Sequence, residues 1–449
     1  MSSILIATVP IHGHVTPMLA VARRFAERGD RVRFMTGARF ADAVSRTGAE
    51  FLALPPLADF DDRIDLNERF PERVGLKGSA SVAFDVEQIF MGPAPAQHEA
   101  VMAAHRAEHA DVLLVDPAFA GAAFVLGYPR AERPAVVVCG VLPLSLSSRD
   151  TAPYGLAIAP MAGGFGRLRN SALTSLAGRV LAPAERRADE MYREVHGVDM
   201  PGAVLDWSRR ADAIAQFTVP EFEYPRSDAP DTLHFVGPIS APGSAALGST
   251  APLPGWWSEL DGSKPVVHVT QGTFANKDFG QLVGPTLEAL ADEDVLVVVA
   301  TGGRPLETLP PLPANARAAE FLPYDELLPK TDVYVTNAGY GGVQYALRHG
   351  VPIVASGGQE DKPEVGARIA WSGVGRRIRA ISPKPKALRR AIRSVLHDER
   401  YRRTAHVMAD RMSVAGGFTE LAAIVDRLAE DSAPSDAEAH LNRAPATRT

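Results

Sequence analysis

The sequence predicts an α/β protein built from two doubly wound, parallel-sheet halves that face a cleft. Three observations predict it. Short apolar runs alternate with amphipathic stretches almost from the first residue. The runs are continuously apolar, as strands covered on both faces must be. The rhythm then stops at GPISAPGSAALGSTAPLPG, which begins at Gly237 and is nearly all Gly, Pro, Ala and Ser, and restarts beyond it.

In order, residues 4–9, 31–36, 50–54, 112–115, 136–139 and 213–218 read as strands of the first half, with a helix over 17–28. After the linker, 266–270, 295–300, 333–336 and 353–355 read as strands. Helices are expected at 281–291, 341–348 and 363–370, and the chain looks helical from 385 to 430. The expected organisation is a first half over 1–236, a linker over 237–262 and a second half over 263–400. Helices over 401–430 would pack back toward the first half, and 431–449 is polar enough to be disordered. In open sheets of this kind ligands bind outside the carboxyl ends of the strands.

Composition narrows the function classes. The chain has 449 residues, 46% hydrophobic and 22% charged, which is ordinary for a globular protein of two or three domains. A net charge of −6 gives no reason to expect a nucleic-acid partner. One cysteine, Cys139, excludes an internal disulfide and a Cys-cluster metal site. MSSILIATVP lacks a basic n-region, and no apolar run approaches the length of a membrane span. A cytoplasmic address, with no transmembrane segment, is the expectation.

The first strand runs into IHGHVTP, residues 11–17. The turn lacks G-x-G-x-x-G spacing and carries two histidines instead. His14 would stand just before a helix opened by Thr16 and Pro17, where the helix terminus disfavours imidazolium and keeps the ring available as a base. The competing reading makes His12 and His14 solvated loop residues. Asp116 follows the strand ADVLLV and could orient an imidazole, or merely cap a helix before Pro117. In the second half DVYVT ends in Asn337-Ala338-Gly339-Tyr340-Gly341-Gly342 as a helix begins. Small residues there let backbone N–H groups close on an anion, which is the physics of a diphosphate cradle. Gln271-Gly272-Thr273 ends another strand and could add a hydroxyl and amides.

These residues resemble those of the family-1 nucleotide-sugar glycosyltransferases, with the GT-B fold of two Rossmann-like domains. The resemblance runs from about residue 4 to residue 430 and is most specific from Phe321 through the N-A-G-Y-G-G turn to Glu360-Asp361-Lys362. It implies an acceptor-binding N-terminal domain and a nucleotide-sugar-binding C-terminal domain. It places the general base at His14, its aspartate partner at Asp116 and the aromatic nucleobase platform at Phe321, with Leu322 beside it among the donor-binding residues. Thr273, Asn337, Gly339, Gly341, Gly342 and Val343 fall on the diphosphate site, and Asp361 on the contact to the donor sugar's hydroxyls. Three positions depart from the commoner pattern: Asn337 replaces a histidine, Gly342 a Ser or Thr, and Lys362 a Gln. Asn337 could donate to a diphosphate oxygen, or serve by tolerating left-handed geometry in the turn. Lys362 could contact donor oxygens or sit solvated at a helix start.

The resemblance implies an inverting hexosyltransferase-type enzyme that uses a UDP- or dTDP-sugar as co-substrate, with no cofactor and no obligatory metal. The acceptor would be a lipophilic small-molecule alcohol or phenol of natural-product type, gripped by loops within 57–100 and 140–180. A sugar-nucleotide epimerase of the same fold and a non-catalytic auxiliary partner are the rival readings. Asp59-Phe60-Asp61 and Asp292-Glu293-Asp294 match D-x-D but read as solvated carboxylates. The basic stretch from Arg376 to Arg403 interleaves apolar residues at helical spacing and reads as a solvated helix face. Cys139 reads as a small buried hydrophobe.

Overall fold

The structure, a computed structural model, describes residues 1–239, 253–273, 276–358 and 360–431. Two sheets form, and every strand pair among the described residues is parallel. The first contains β1 (Ser3–Ala7), β2 (Arg31–Thr36), β3 (Glu50–Ala53), β4 (Val112–Val115), β5 (Ala135–Gly140), β6 (Ala213–Gln216) and β7 (Leu233–Phe235), in the order β3-β2-β1-β4-β5-β6-β7. The second contains β8 (Val266–Thr270), β9 (Leu296–Ala300), β10 (Ala316–Ala319), β11 (Val333–Thr336), β12 (Ile353–Ser356) and β13 (Gly375–Ile378), ordered β10-β9-β8-β11-β12-β13. Central strands such as LLV in β4 and VVV in β9 are buried on both faces, which is why they read as unbroken apolar runs.

Each sheet has one place where its strand order reverses. In the first it lies between β1 and β4, and in the second between β8 and β11. At these switch points consecutive crossovers leave to opposite faces, opening a crevice at the strands' carboxyl ends. Register then decides which residues meet there. Ala7 pairs with Val115, so Val9 and Asp116 emerge side by side. Thr270 pairs with Thr336, so Gln271 and Asn337 do the same.

Several elements differ from the sequence expectation. The first helix is His12–Arg28 and runs through Pro17 instead of starting there. The helix expected at 281–291 is a 3₁₀ turn, Phe279–Gln281, followed by Val283–Leu290. The 140–180 loop region contains the start of a long helix, Gly163–His196, which tolerates Pro183 in its interior. Half of the expected linker, residues 240–252, and the expected disordered tail from 432 onward lie outside the described residues. Within the linker's described end, Trp257–Glu259 forms a 3₁₀ turn. Of the helices expected to return toward the first half, Phe418–Glu430 lies on its sheet through Leu421, Ile424 and Val425, with Arg28 gripping Asp426 at 2.8 Å. Glu399–Val414 buries Met408 and Met412 in a cluster with Val343 and Leu347 of the second half and Val219 and Phe222 of the first, and its Arg411 pairs with Glu221 of the first half at 3.2 Å. No helix among the described residues is long and apolar enough to cross a membrane.

Candidate active site

His14 sits in the first turn of the helix His12–Arg28, not in a loop before it, and is only 8% exposed. Its Nδ1 lies 2.7 Å from Oδ1 of the fully buried Asp116. The carboxylate is itself fixed by backbone N–H groups: Val9 donates to Oδ2 and Ala118 to Oδ1, each at 2.8 Å. Asp116 therefore caps no helix; it closes its own turn and aims the imidazole. With Nδ1–H donated to the carboxylate, Nε2 carries the free lone pair, and it has no hydrogen-bond partner among the described residues. Burial pulls the ring's pKa down. The charge and hydrogen bond of Asp116, aided by Asp361 and Glu360, outweigh that and carry it above 6.5. The net direction is opposite to the one expected from the helix terminus alone. His12, by contrast, is held below 6.5 by burial and then by Arg39, and its backbone N–H donates to Asp62 at 2.8 Å.

Across the cleft, the helix Tyr340–Arg348 opens on Gly339 with no side-chain cap. The N–H of Val343 already bonds Gly339 O at 3.1 Å, so the groups without an intrahelical acceptor are those of Tyr340, Gly341 and Gly342. A Cβ on Gly341 would meet nothing within 4 Å, so the turn is open on that side. Gly342 is a glycine for another reason: a Cβ there would lie 2.7 Å from the Tyr334 hydroxyl. The side chain of Asn337 donates to Gln271 O at 2.6 Å and accepts from Gly339 N–H at 3.3 Å, tying the β8 and β11 loops together. The left-handed residue of this turn is Ala338, at φ 69°, so tolerance of that geometry is not what Asn337 supplies.

Asp361 stands at the N-cap of the helix Lys362–Trp371, and burial raises its carboxyl pKa above 3.8 against the pull of Lys362 and His14. The two halves thus bring His14, Asp116 and Asp361 into one electrostatic neighbourhood. Phe321 is 43% exposed and its ring packs over Gly303, where a Cβ would approach to 2.7 Å. That leaves an aromatic face available for stacking.

The profile of the family described as "Erythromycin biosynthesis protein CIII-like, C-terminal domain" matches residues 285–428. The chain is 41% identical over 429 residues to the 4'-demethylrebeccamycin synthase of Lentzea aerocolonigenes, covering 95% of this chain and 99% of that one. It is 34% identical over 438 residues to UDP-glycosyltransferase 2 of Phaeomoniella chlamydospora, covering 95% of each. The chain belongs to the family-1 GT-B glycosyltransferases. Among solved structures, the glycotransferase of kitacinnamycin superposes with a TM-score of 0.70 at 22% identity, over 95% of this chain and 98% of that one. The calicheamicin glycosyltransferase CalG4 gives 0.67 at 22% identity, over 97% and 100%. Both share the two-sheet fold described above.

Several residues that the resemblance placed at the donor site of this glycosyltransferase have side chains engaged elsewhere. Leu322 is buried with Val266, Leu296 and Leu327, and Val343 with Tyr334 and Ile353, so neither side chain faces the cleft. Lys362 is neither solvated nor free: it is 9% exposed and paired with Glu360, whose φ is 57°. Thr273 is exposed beside Gly272. Of the D-x-D matches, Asp59 accepts from Ala38 N–H and Asp61 pairs with Arg63 and Arg39, whereas Asp292 and Asp294 are exposed, with Asp294 paired to Lys264 at the surface. The basic stretch buries Leu388, Ile392 and Val395 and exposes Lys386, Arg390 and Arg403, while Arg393 pairs with Glu293 and Arg400 with Asp398. Cys139 is fully buried, and burial pushes its thiol pKa up. Sequence reasoning missed Glu223, Glu364 and Arg368, a buried set joining the two halves.

Proposed function

We propose that the protein transfers a sugar from a nucleoside-diphosphate donor, UDP-linked or dTDP-linked, to a hydroxyl of a lipophilic natural-product acceptor, with inversion. The observation that carries the reading is the 2.7 Å His14–Asp116 pair with Nε2 unengaged, at the switch point of one sheet and opposite an open helix N-terminus at the switch point of the other. Nε2 of His14 takes the acceptor's hydroxyl proton as that oxygen attacks the anomeric carbon. The bond from that carbon to the diphosphate oxygen breaks, and the nucleoside diphosphate leaves with the electron pair. Asp116 stabilises the imidazolium that results. The N–H groups of Tyr340, Gly341 and Gly342 meet the charge that develops on the diphosphate, and Thr273 can add a hydroxyl. Phe321 stacks on the nucleobase, and Asp361 receives the donor sugar's hydroxyls. The names of the relatives, a demethylrebeccamycin synthase and a UDP-glycosyltransferase, support a natural-product acceptor and a UDP donor.

The experiment is a transfer assay with UDP- and dTDP-sugars against a panel of phenols and macrolides, with donor-only controls. A glycosylated acceptor of inverted anomeric configuration is the expected product. Donor turnover without any acceptor would point to the epimerase, and no turnover at all to the auxiliary partner.

No step of this chemistry requires a metal ion, so transfer should persist in excess EDTA. Activity abolished by EDTA and restored by Mg²⁺ or Mn²⁺ would contradict that. Asn337→Ala removes both a tether and an amide donor next to the cradle, and should weaken nucleoside-diphosphate binding by about tenfold to a hundredfold. Asn337→Asp should be worse still, because a carboxylate repels both Gln271 O and the diphosphate. Titration of free UDP checks both variants, and unchanged affinity in the alanine variant would leave the backbone amides as the whole cradle.

A further inference from the structure

The segment after β5 carries Tyr154-Gly155-Leu156-Ala157 from the first half over to the second. It is pinned there by residues of the donor half. One carboxylate oxygen of Glu364, Oε1, accepts from Gly155 N–H at 2.8 Å and from Ala157 N–H at 2.7 Å. Arg377 donates to Ala157 O at 3.2 Å. Ala157 has φ 51°, one of three non-glycine residues in the left-handed region among the described residues, and such geometry persists only where neighbours enforce it. The other carboxylate oxygen, Oε2, is held by Arg368 at 2.8 Å. Glu364 is 4% exposed, so its charge has been taken out of water to make these bonds.

Position gives the contact its meaning. Glu364 follows Asp361 by one helical turn on the helix Lys362–Trp371, so the donor-sugar contact and the loop anchor share a rigid element. Tyr154, next to the pinned amides, is near enough to Asp361 for that carboxylate's charge to act on its phenol. The same segment exposes Leu156 and Met161, at 44% and 43%, which suits contact with an apolar molecule.

We propose that Glu364 is a positioning residue for the acceptor. From the donor side of the cleft it holds the 154–157 loop of the opposite half where that loop can close on the acceptor. The inference rests on the glycosyltransfer reading above and adds to it a residue that touches neither reacting atom. It ties the acceptor wall to the helix that carries Asp361, so acceptor capture depends on a contact made by the donor half.

The test uses Glu364→Ala in the full-length protein, with two readouts. Hydrogen exchange on the ligand-free protein should show faster exchange at the amides of Gly155 and Ala157. Kinetics should show the acceptor KM raised by about tenfold or more, with affinity for free UDP and kcat at saturating acceptor little changed. Arg368 keeps Glu223 as a partner in this variant, so the ion cluster is not left unbalanced. Should the alanine variant fail to fold, Glu364→Met, which fills a similar volume without an oxygen acceptor, carries the same two measurements. Unchanged exchange, an unchanged acceptor KM, or loss of UDP affinity in parallel with acceptor KM would each overturn the proposal. Absence of any transfer by the wild-type protein would overturn the preceding reading instead, and the exchange measurement would then decide the loop contact by itself.

Discussion

Replacing His14 by alanine is expected to lower glycosyl-transfer turnover by about 10²–10⁴-fold, the usual worth of a positioned general base. Donor affinity should barely change, because in the proposed reaction the ring acts on the acceptor's hydroxyl, and it reaches Asp361 only through its charge. The direction of the loss is set by geometry. Removing the imidazole leaves the acceptor hydroxyl with no proton acceptor at the point where its oxygen attacks. Asp116→Asn should also reduce turnover with the fold retained, since it weakens the stabilisation of the imidazolium and disturbs the Nδ1–H tautomer. Steady-state kinetics and titration of free nucleoside diphosphate check both variants. A parallel loss of donor binding in His14→Ala would place the histidine in the phosphate site, and an Asp116→Asn variant at wild-type activity would remove the aspartate from the mechanism.

Arg368→Met is expected to destabilise the protein by about 3–5 kcal/mol, the cost of breaking a buried ion cluster by deleting one partner. Arg368 is 1% exposed and bonds Glu223 at 2.7 Å, Glu364 at 2.8 Å and Leu144 O at 3.1 Å, with its guanidinium 4.4 Å from the Tyr224 ring. Burial opposes its charge, and the two carboxylates hold it ionised. Without it, two carboxylates from opposite halves remain desolvated with no common cation. The triple variant Arg368→Met, Glu223→Gln, Glu364→Gln should recover much of the loss, because it leaves no unpaired charge. Denaturant unfolding of the three proteins is the check. A single variant within about 1 kcal/mol of wild type would mean the cluster is not what joins the halves.

The fold was legible where burial writes itself into sequence. The strands buried on both faces, such as β4 and β9, read as apolar runs, and β8 and β11 fall at the expected residues 266–270 and 333–336. The edge strands β7, β10 and β13 did not, because LHF, ARAA and GRRI are short and half-exposed and carry no run to find. Pro17 misplaced a helix start, since proline is favoured at the first helical position and the helix here runs through it. Four glycines and Pro183 hid the long helix Gly163–His196 behind apparent breakers.

At the site, the residues that leave adjacent strands at the two switch points were legible from their loops: His14, Asp116, Asn337 and the glycines. What those residues face was not. Gly342 looked like a lost hydroxyl, whereas the space it would need is filled by Tyr334 from the strand beneath. Lys362 looked free, although Glu360 holds it two residues away. Glu364 and Arg368, four apart on one helix, would pass for an exposed ion pair. Only the fold brings Glu223 to Arg368 from 145 positions away and turns that pair into a buried joint.

The pH dependence of kcat/KM for the acceptor reads the protonation state of the free enzyme's base. A base must be neutral to act, and the pKa of His14 is raised above 6.5 by Asp116, Asp361 and Glu360 against the effect of burial. The rate should therefore fall as pH drops through an inflection above 6.5, and in Asp116→Asn that inflection should move to lower pH. A wild-type profile flat through this range, or an inflection that Asp116→Asn leaves in place, would contradict a histidine base held by Asp116.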